Sequence, residues 1–135
     1  MLIEKASRIL VVDDSLIMGR IIVSLLRQLG YENVEVVAGP LAGMLKLHGG
    51  GIDLVICDYN MQPKSGPALL EEMRADPELC ATPFIMVSAE ARQDRVVAAL
   101  HAGADGYLLK PFSAQMLKQR IDSVARGRQR EAVLV

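Results

Sequence analysis

The sequence predicts an α/β fold: an open parallel sheet of five strands with five helices packed on its two faces. Three observations predict it. Five short apolar runs alternate strictly with five stretches of helical spacing. Four of the runs are continuous in Ile, Val, Leu and similar residues, as in strands covered on both faces. Strict strand–helix alternation in turn requires right-handed crossovers, which put helices on either side of one sheet. The 135 residues, 51% hydrophobic and 23% charged, are enough for one globular domain with a real core.

The first strand is expected over 9–12. The helix after it carries Met18, Ile21, Ile22, Leu25, Leu26 and Leu29 at steps of three and four, and Gly30 stops it. Gly19 lies inside this helix, where glycine costs about 1 kcal/mol relative to alanine. The second strand, 34–37, contains Glu35 and so suits a sheet edge. Gly39-Pro40 opens the second helix, since proline is tolerated in a first turn, and Gly49-Gly50-Gly51 ends it. The third strand is 54–57. Its helix runs from about Gly66-Pro67 to Ala75, with Leu69, Leu70 and Met73 facing inward. The fourth strand, 84–87, leads to a helix over about 91–102 whose apolar face is Val96, Val97 and Leu100. The fifth strand, 107–109, precedes a helix capped by Ser113 that buries Leu117, Ile121 and Val124. The domain is read as 1–126, and 127–135 as a basic, flexible tail.

Bulk properties exclude several classes. A formal net charge of −1 gives no electrostatic case for DNA or an anionic membrane. Cys57 and Cys80 make no disulfide framework and are expected to be buried or half-buried free thiols. No targeting segment or membrane-length apolar run is present, so a cytoplasmic location is expected. No His-Ser-Asp set, His/Cys metal cluster or Gly-rich nucleotide loop points to an enzyme of the usual kind; His48 and His101 fall on helix surfaces.

The chemistry lies at the strand ends. Asp13 and Asp14 follow the first strand, Asp58 the third, Ser88 the fourth and Lys110 the fifth. Open parallel sheets bind ligands outside the carboxyl ends of their strands, at the point where the winding reverses. Each residue alone has an ordinary reading as a cap, a turn or a surface charge. Together they deliver three carboxylates, a hydroxyl and an ammonium to one cleft. Clustered carboxylates repel one another, and a hard cation such as Mg²⁺ relieves that. Asp58 then suits a carboxylate nucleophile attacking phosphorus, with Lys110 and Ser88 on the phosphoryl oxygens. Phosphoryl transfer needs little beyond such positioning and charge.

The motifs Val11-Val12-Asp13-Asp14-Ser15, Asp58-Tyr59-Asn60-Met61 with Gly66, Met86-Val87-Ser88-Ala89-Glu90, and Ala102-Gly103-Ala104-Asp105-Gly106-Tyr107 with Lys110-Pro111-Phe112 stand in order along the chain. In these the sequence resembles the response-regulator receiver family, most of all its single-domain chemotaxis (CheY-like) members, over about 8–125. The resemblance implies a flavodoxin-like, doubly wound sheet of order 2-1-3-4-5. It implies that Asp58 accepts phosphate from a histidine kinase in a two-component system. It implies Mg²⁺ bound by Asp14, Asp58 and the Asn60 carbonyl oxygen, with Asp13 acting through water. Ser88 and Tyr107 become a switch pair, and Asn60 and Glu90 tune water attack on a short-lived acyl phosphate. The chain would act only on itself, taking phosphate and losing it. A downstream protein is expected on the fourth helix, fifth strand and fifth helix, including Ala91, Val96, Tyr107 and the exposed side of 115–126.

Two features depart from the family pattern or add to it. The loop Met61-Gln62-Pro63-Lys64 sets its proline one place late, next to the metal site. The C-terminal end is basic, with Lys118, Arg120, Arg126, Arg128 and Arg130. Cations there suit a helix C-terminus, whereas Arg126-x-x-x-Arg130 is similar to arginine spacings that bind cyclic di-GMP. The alternatives to a switch for a protein partner are therefore a cyclic di-GMP effector, or a phosphorelay intermediate or phosphate sink.

Overall fold

The computed structural model describes the backbone of residues 3–134 and the side chains of residues 3–128. Five strands, β1 (Ile9–Asp13), β2 (Val34–Ala38), β3 (Leu54–Asp58), β4 (Phe84–Ser88) and β5 (Gly106–Leu109), alternate with α1 (Leu16–Gln28), α2 (Pro40–His48), α3 (Gly66–Ala75), α4 (Gln93–His101) and α5 (Ala114–Leu134). The sheet is entirely parallel, in the order β2-β1-β3-β4-β5, as the resemblance implies. The strand that carries Glu35 lies at an edge, where its carboxylate pairs with Arg8 and Lys46.

Side-chain alternation along the strands divides the core in two. Ile9, Val11, Leu54, Ile56, Ile85 and Val87 pack with Ile22, Leu26, Leu117, Ile121 and Val124 of α1 and α5. Leu10, Val12, Val55, Cys57, Phe84 and Met86 face the other way, onto Leu47, Leu69, Leu70, Met73 and Ala99 of α2, α3 and α4. Because β1, β3 and β4 are central, their residues are buried on both sides, which explains their continuous hydrophobic runs.

Helix boundaries follow local chemistry. Ser15 and Ser65 cap α1 and α3 by accepting the Met18 and Ala68 backbone N–H groups, and Ser113 accepts that of Met116. Gly39 precedes α2 at φ 89°, a conformation other residues rarely adopt, and Pro40 supplies the first helical residue.

Three expectations are corrected. The inward face of α4 is not Val96, Val97 and Leu100: only Ala99 is buried, while Val97 and Leu100 are exposed. A small residue lets α4 approach the sheet, which leaves its larger apolar side chains along an open groove. In α1, Ile21 is likewise exposed, and Gly19 and Val23 are buried instead. Cys80 is exposed, in the turn before β4, whereas Cys57 is fully buried and its thiol is pushed well up by burial and the nearby aspartate charges. His48 and His101 are exposed, as expected.

At its carboxyl end α5 continues through residues read from sequence as tail. Arg128 lies close to Asp105, whose Oδ2 accepts from Arg128 at 2.8 Å, Arg74 at 3.3 Å and the Phe84 N–H at 2.8 Å. Arg74 also donates to the carbonyls of Gly103, Thr82 and Cys80. This cluster ties α3, α5 and the starts of β4 and β5 together at the end of the sheet opposite Asp58.

Gly19 has a packing reason. A Cβ there would lie 2.4 Å from Val36 Cγ2, so glycine allows α1 to press onto β2. Gly19→Ala should gain roughly 1 kcal/mol in helix propensity but lose about 1–3 kcal/mol to overpacking. Urea unfolding is expected to show a net loss of stability; a gain would mean that β2 yields.

Candidate functional site

Strand register brings the polar strand ends to one level. Val12 pairs with Cys57, Asp58 with Val87, and Ser88 with Leu109, so Asp13, Asp58, Ser88 and Lys110 emerge side by side at the carboxyl edge. Backbone bonds carry the sheet one step further: Tyr59 N–H donates to Val87, and Lys110 N–H to Ser88. Behind Asp58, the N-terminus of α3 comes very close. A Cβ on Gly66 would sit 2.5 Å from the Asp58 carbonyl oxygen and 2.6 Å from Met86 Sδ, which explains a glycine eight residues beyond Asp58.

The centre of the cleft is an ammonium shared by two carboxylates. Lys110 Nζ lies 3.1 Å from Asp58 Oδ1 and 3.4 Å from Asp13 Oδ2. Asp13 is 2% exposed, and its other oxygen accepts the Ser15 N–H at 2.8 Å. One cation facing two anions leaves a net negative charge. Burial, then repulsion from Asp13, raises the Asp58 carboxyl above its ordinary range, and Lys110 works against both.

Asp14 is exposed at the mouth, and its Oδ2 accepts the Gln62 N–H at 2.9 Å. The loop with the displaced proline is thus anchored to the acidic pair through the residue before Pro63. Among the described residues, no three His, Cys, Asp or Glu side chains converge as a ready cage. Mg²⁺ does not require one, because it usually keeps several waters and takes one or two carboxylates. Excess negative charge on a partly desolvated carboxylate next to an exposed one fits such a cation.

Ser88 is fully buried, and its Oγ accepts the Glu90 N–H at 3.1 Å. Tyr107 is half-buried, packs against the second core cluster and donates its hydroxyl to the Glu90 carbonyl at 3.1 Å. Its ring also lines an open groove of about 430 Å³ between α4, β5 and α5, together with Ala91, Val96, Leu100, Met116 and Arg120. The residues predicted for an output face therefore share one depression.

Sequence reasoning missed Arg95. This α4 residue donates from Nη1 to Asn60 Oδ1 at 2.9 Å, pairs through Nε with Glu90 Oε2 at 3.2 Å, and lies 4.6 Å above the Tyr59 ring. A signal was available, since an arginine in the first turn of α4, five residues beyond Glu90, can reach back over it. At the basic end, Lys118 is taken up by Asp122 and Arg128 by Asp105, while Arg126 is exposed. The Arg130 side chain lies outside the described residues.

A doubly wound parallel sheet with an acidic cleft and a facing lysine at its carboxyl edge defines a receiver module. The chain belongs to the response regulator receiver domain family, whose model matches residues 9–122. It is 42% identical to the chemotaxis protein CheY of Pseudomonas aeruginosa over 117 residues, covering 87% of this chain and 94% of the relative. Among solved structures it is similar to CheY4 of Vibrio cholerae, with a TM-score of 0.81 and 28% identity, covering 88% of this chain and 98% of that one. It is also similar to the receiver domain of the sensor histidine kinase PA1611 from Pseudomonas aeruginosa, described with magnesium in its active-site cleft. There the TM-score is 0.80 and the identity 27%, with 90% and 98% of the two chains covered. The protein is thus a CheY-like receiver domain of two-component signalling. No helix among the described residues is long and apolar enough to cross a membrane.

The charge imbalance at Asp58 predicts a pH effect. A carboxyl whose pKa rises on folding favours the fold while protonated, and that contribution is lost as pH climbs through the raised value. At neutral pH ionised Asp58 therefore opposes folding. In metal-free buffer Asp58→Asn is expected to raise the thermal midpoint at pH 7, by a margin that narrows as pH falls through the carboxylate range. A variant no more stable than the wild type at pH 7 would show that Lys110 fully compensates both aspartates.

Proposed function

We propose that this receiver accepts a phosphoryl group on Asp58 from a histidine kinase, and that the acyl phosphate alters affinity for a protein partner. The observation that carries this reading is the Lys110 ammonium held between Asp58 and Asp13 at adjoining strand ends. In the transfer, an Asp58 carboxylate oxygen attacks phosphorus while the phosphorus–nitrogen bond of the donor phosphohistidine breaks, its electron pair staying with the imidazole. Lys110 is close enough to leave Asp58 Oδ1 for an oxygen of the incoming group, and the Ser88 hydroxyl keeps a proton to donate to another. Asp14, Asp58 and the Asn60 carbonyl oxygen, with Asp13 through water, would hold Mg²⁺, which would offset negative charge on the phosphoryl oxygens.

Tyr107 connects the site to the surface, because its hydroxyl bonds to the loop after Ser88 and its ring lines the α4–β5–α5 groove. A partner docking there would sense the position of Glu90 and Tyr107. The likeness to chemotaxis regulators supports a motility partner.

Incubation with Mg²⁺ and acetyl phosphate, followed by intact-protein mass spectrometry, is expected to show one added phosphate on the wild type and none on Asp58→Asn. Lys110→Ala should retain Asp58 yet lose most of the labelling rate, by roughly 10²-fold or more if the ammonium stabilises the transferring group. Equal labelling of wild type and Asp58→Asn would rule the assignment out. Beryllium fluoride, a stable mimic, gives a form suitable for capturing the partner.

A further inference from the structure

Arg95 joins the two residues that flank the mouth of the cleft. Asn60 lies two residues after Asp58, and Glu90 two residues after Ser88. Their side chains come from separate loops, one after β3 and one after β4. From α4 a single guanidinium reaches both: Nη1 to Asn60 Oδ1 at 2.9 Å and Nε to Glu90 Oε2 at 3.2 Å. The same group stacks over Tyr59, the residue directly after Asp58, at 4.6 Å. With its side chain only 25% exposed, Arg95 is packed across the loops. A planar fork suits this use, since its donors point in fixed directions and its face stacks on an aromatic ring.

These contacts occupy particular atoms. Water attacking an acyl phosphate must approach phosphorus opposite the Asp58 oxygen. It is oriented, and its proton accepted, by acceptors at the mouth of the cleft. Two of the acceptors there, the Asn60 amide oxygen and the Glu90 carboxylate, meet Arg95, the first through a hydrogen bond and the second as an ion pair. We propose that Arg95 is a positioning residue that protects the acyl phosphate: by clasping Asn60 and Glu90 it fixes in place the acceptors that would otherwise turn to align water, and so sets the lifetime of the signal. The proposal rests on Asp58 being the phosphoacceptor. In the step it slows, water forms a new P–O bond and the P–O bond to Asp58 breaks. The electron pair returns to the carboxylate, and the water proton passes to solvent with release of inorganic phosphate.

The test separates uptake from loss. Wild type, Arg95→Ala and Arg95→Gln are phosphorylated with acetyl phosphate and Mg²⁺ and freed of donor by rapid desalting. Loss of the phosphoryl label is then followed by intact-protein mass spectrometry. Both variants lack the fork and are expected to lose phosphate roughly three- to tenfold faster, well short of the full factor for a general base. The acceleration should disappear when Arg95→Ala is placed in an Asn60→Ala/Glu90→Ala background, because no acceptors remain to be released. A general loosening of α4 would persist in that background. Unchanged lifetimes in both variants, or an equal acceleration without Asn60 and Glu90, would overturn the clasp while leaving Asp58 as acceptor. A wild type that takes no phosphate would overturn the acceptor reading and the clasp with it.

Discussion

The Lys110 ammonium between Asp13 and Asp58 is the constraint on which the site depends. Two carboxylates emerge from neighbouring parallel strands at one level because Val12 and Cys57 are in register. Parallel pairing gives no freedom to separate them without shifting every apolar residue beneath, so their repulsion must be met locally. Lys110 meets it from the far side, at the end of β5, and does so incompletely: one cation faces two anions, one of them almost fully buried. Burial, and after it the remaining negative charge, raises the Asp58 carboxyl, and that charge gives the cleft a use for a metal cation. A site that balanced its own charge would have less to gain from Mg²⁺.

The opposite end of the sheet is built the other way. There Arg74 and Arg128 converge on the single carboxylate of Asp105, which also receives the Phe84 N–H. Burial lowers the Arg74 guanidinium, Asp105 opposes that, and Arg128 adds to it. The acidic end carries the candidate site; the basic end joins helices to strand starts, with carbonyls of two loops taking up the spare donors of Arg74. Through Arg128, α5 contributes to this joint beyond Val124, the last buried apolar residue of the helix among the described residues. The helix that borders the Tyr107 groove is thus fastened at one end by Ser113 and near the other by Asp105.

The fold was legible because central strands of a parallel sheet must be apolar on both faces, and 9–12, 54–57 and 84–87 could be little else. The cleft was legible because its residues stand directly after those strands, where chain direction alone fixes their common edge. Less was readable where packing depends on closeness rather than pattern. The three-four spacing of Val96, Val97 and Leu100 resembles a buried stripe, yet the residue that meets the sheet is Ala99, because a small side chain lets the helix come nearer. Gly19 reads as a helix defect until Val36 is found against it. Arg128 reads as a solvated tail charge, since nothing in its neighbourhood indicates that Asp105, 23 positions away, will accept from it. Such long-range pairings of single charges leave no periodic trace.

Glu90 makes the cleft and the groove one mechanical unit. Its N–H is held by Ser88 Oγ, its carbonyl by the Tyr107 hydroxyl and its carboxylate by Arg95. A serine hydroxyl has one proton to donate and two lone pairs to accept, so Ser88 can donate toward an oxygen on Asp58 without releasing Glu90. Movement of Ser88 Oγ into the cleft would therefore draw the Glu90 backbone with it, and with that backbone the acceptor of Tyr107. Coupling of this kind needs an element with two discrete arrangements, biased by both sites. The loop from Ser88 to the start of α4 has the right attachments, since it begins beside Asp58 in the sheet and its Ala91 lines the groove. Arg95 adds a brace from the Asp58 side, through Tyr59 and Asn60, so that the loop is held against both strand ends at once. On the proposed reading, the duration of the signal and its transmission to the groove would both depend on the same short segment.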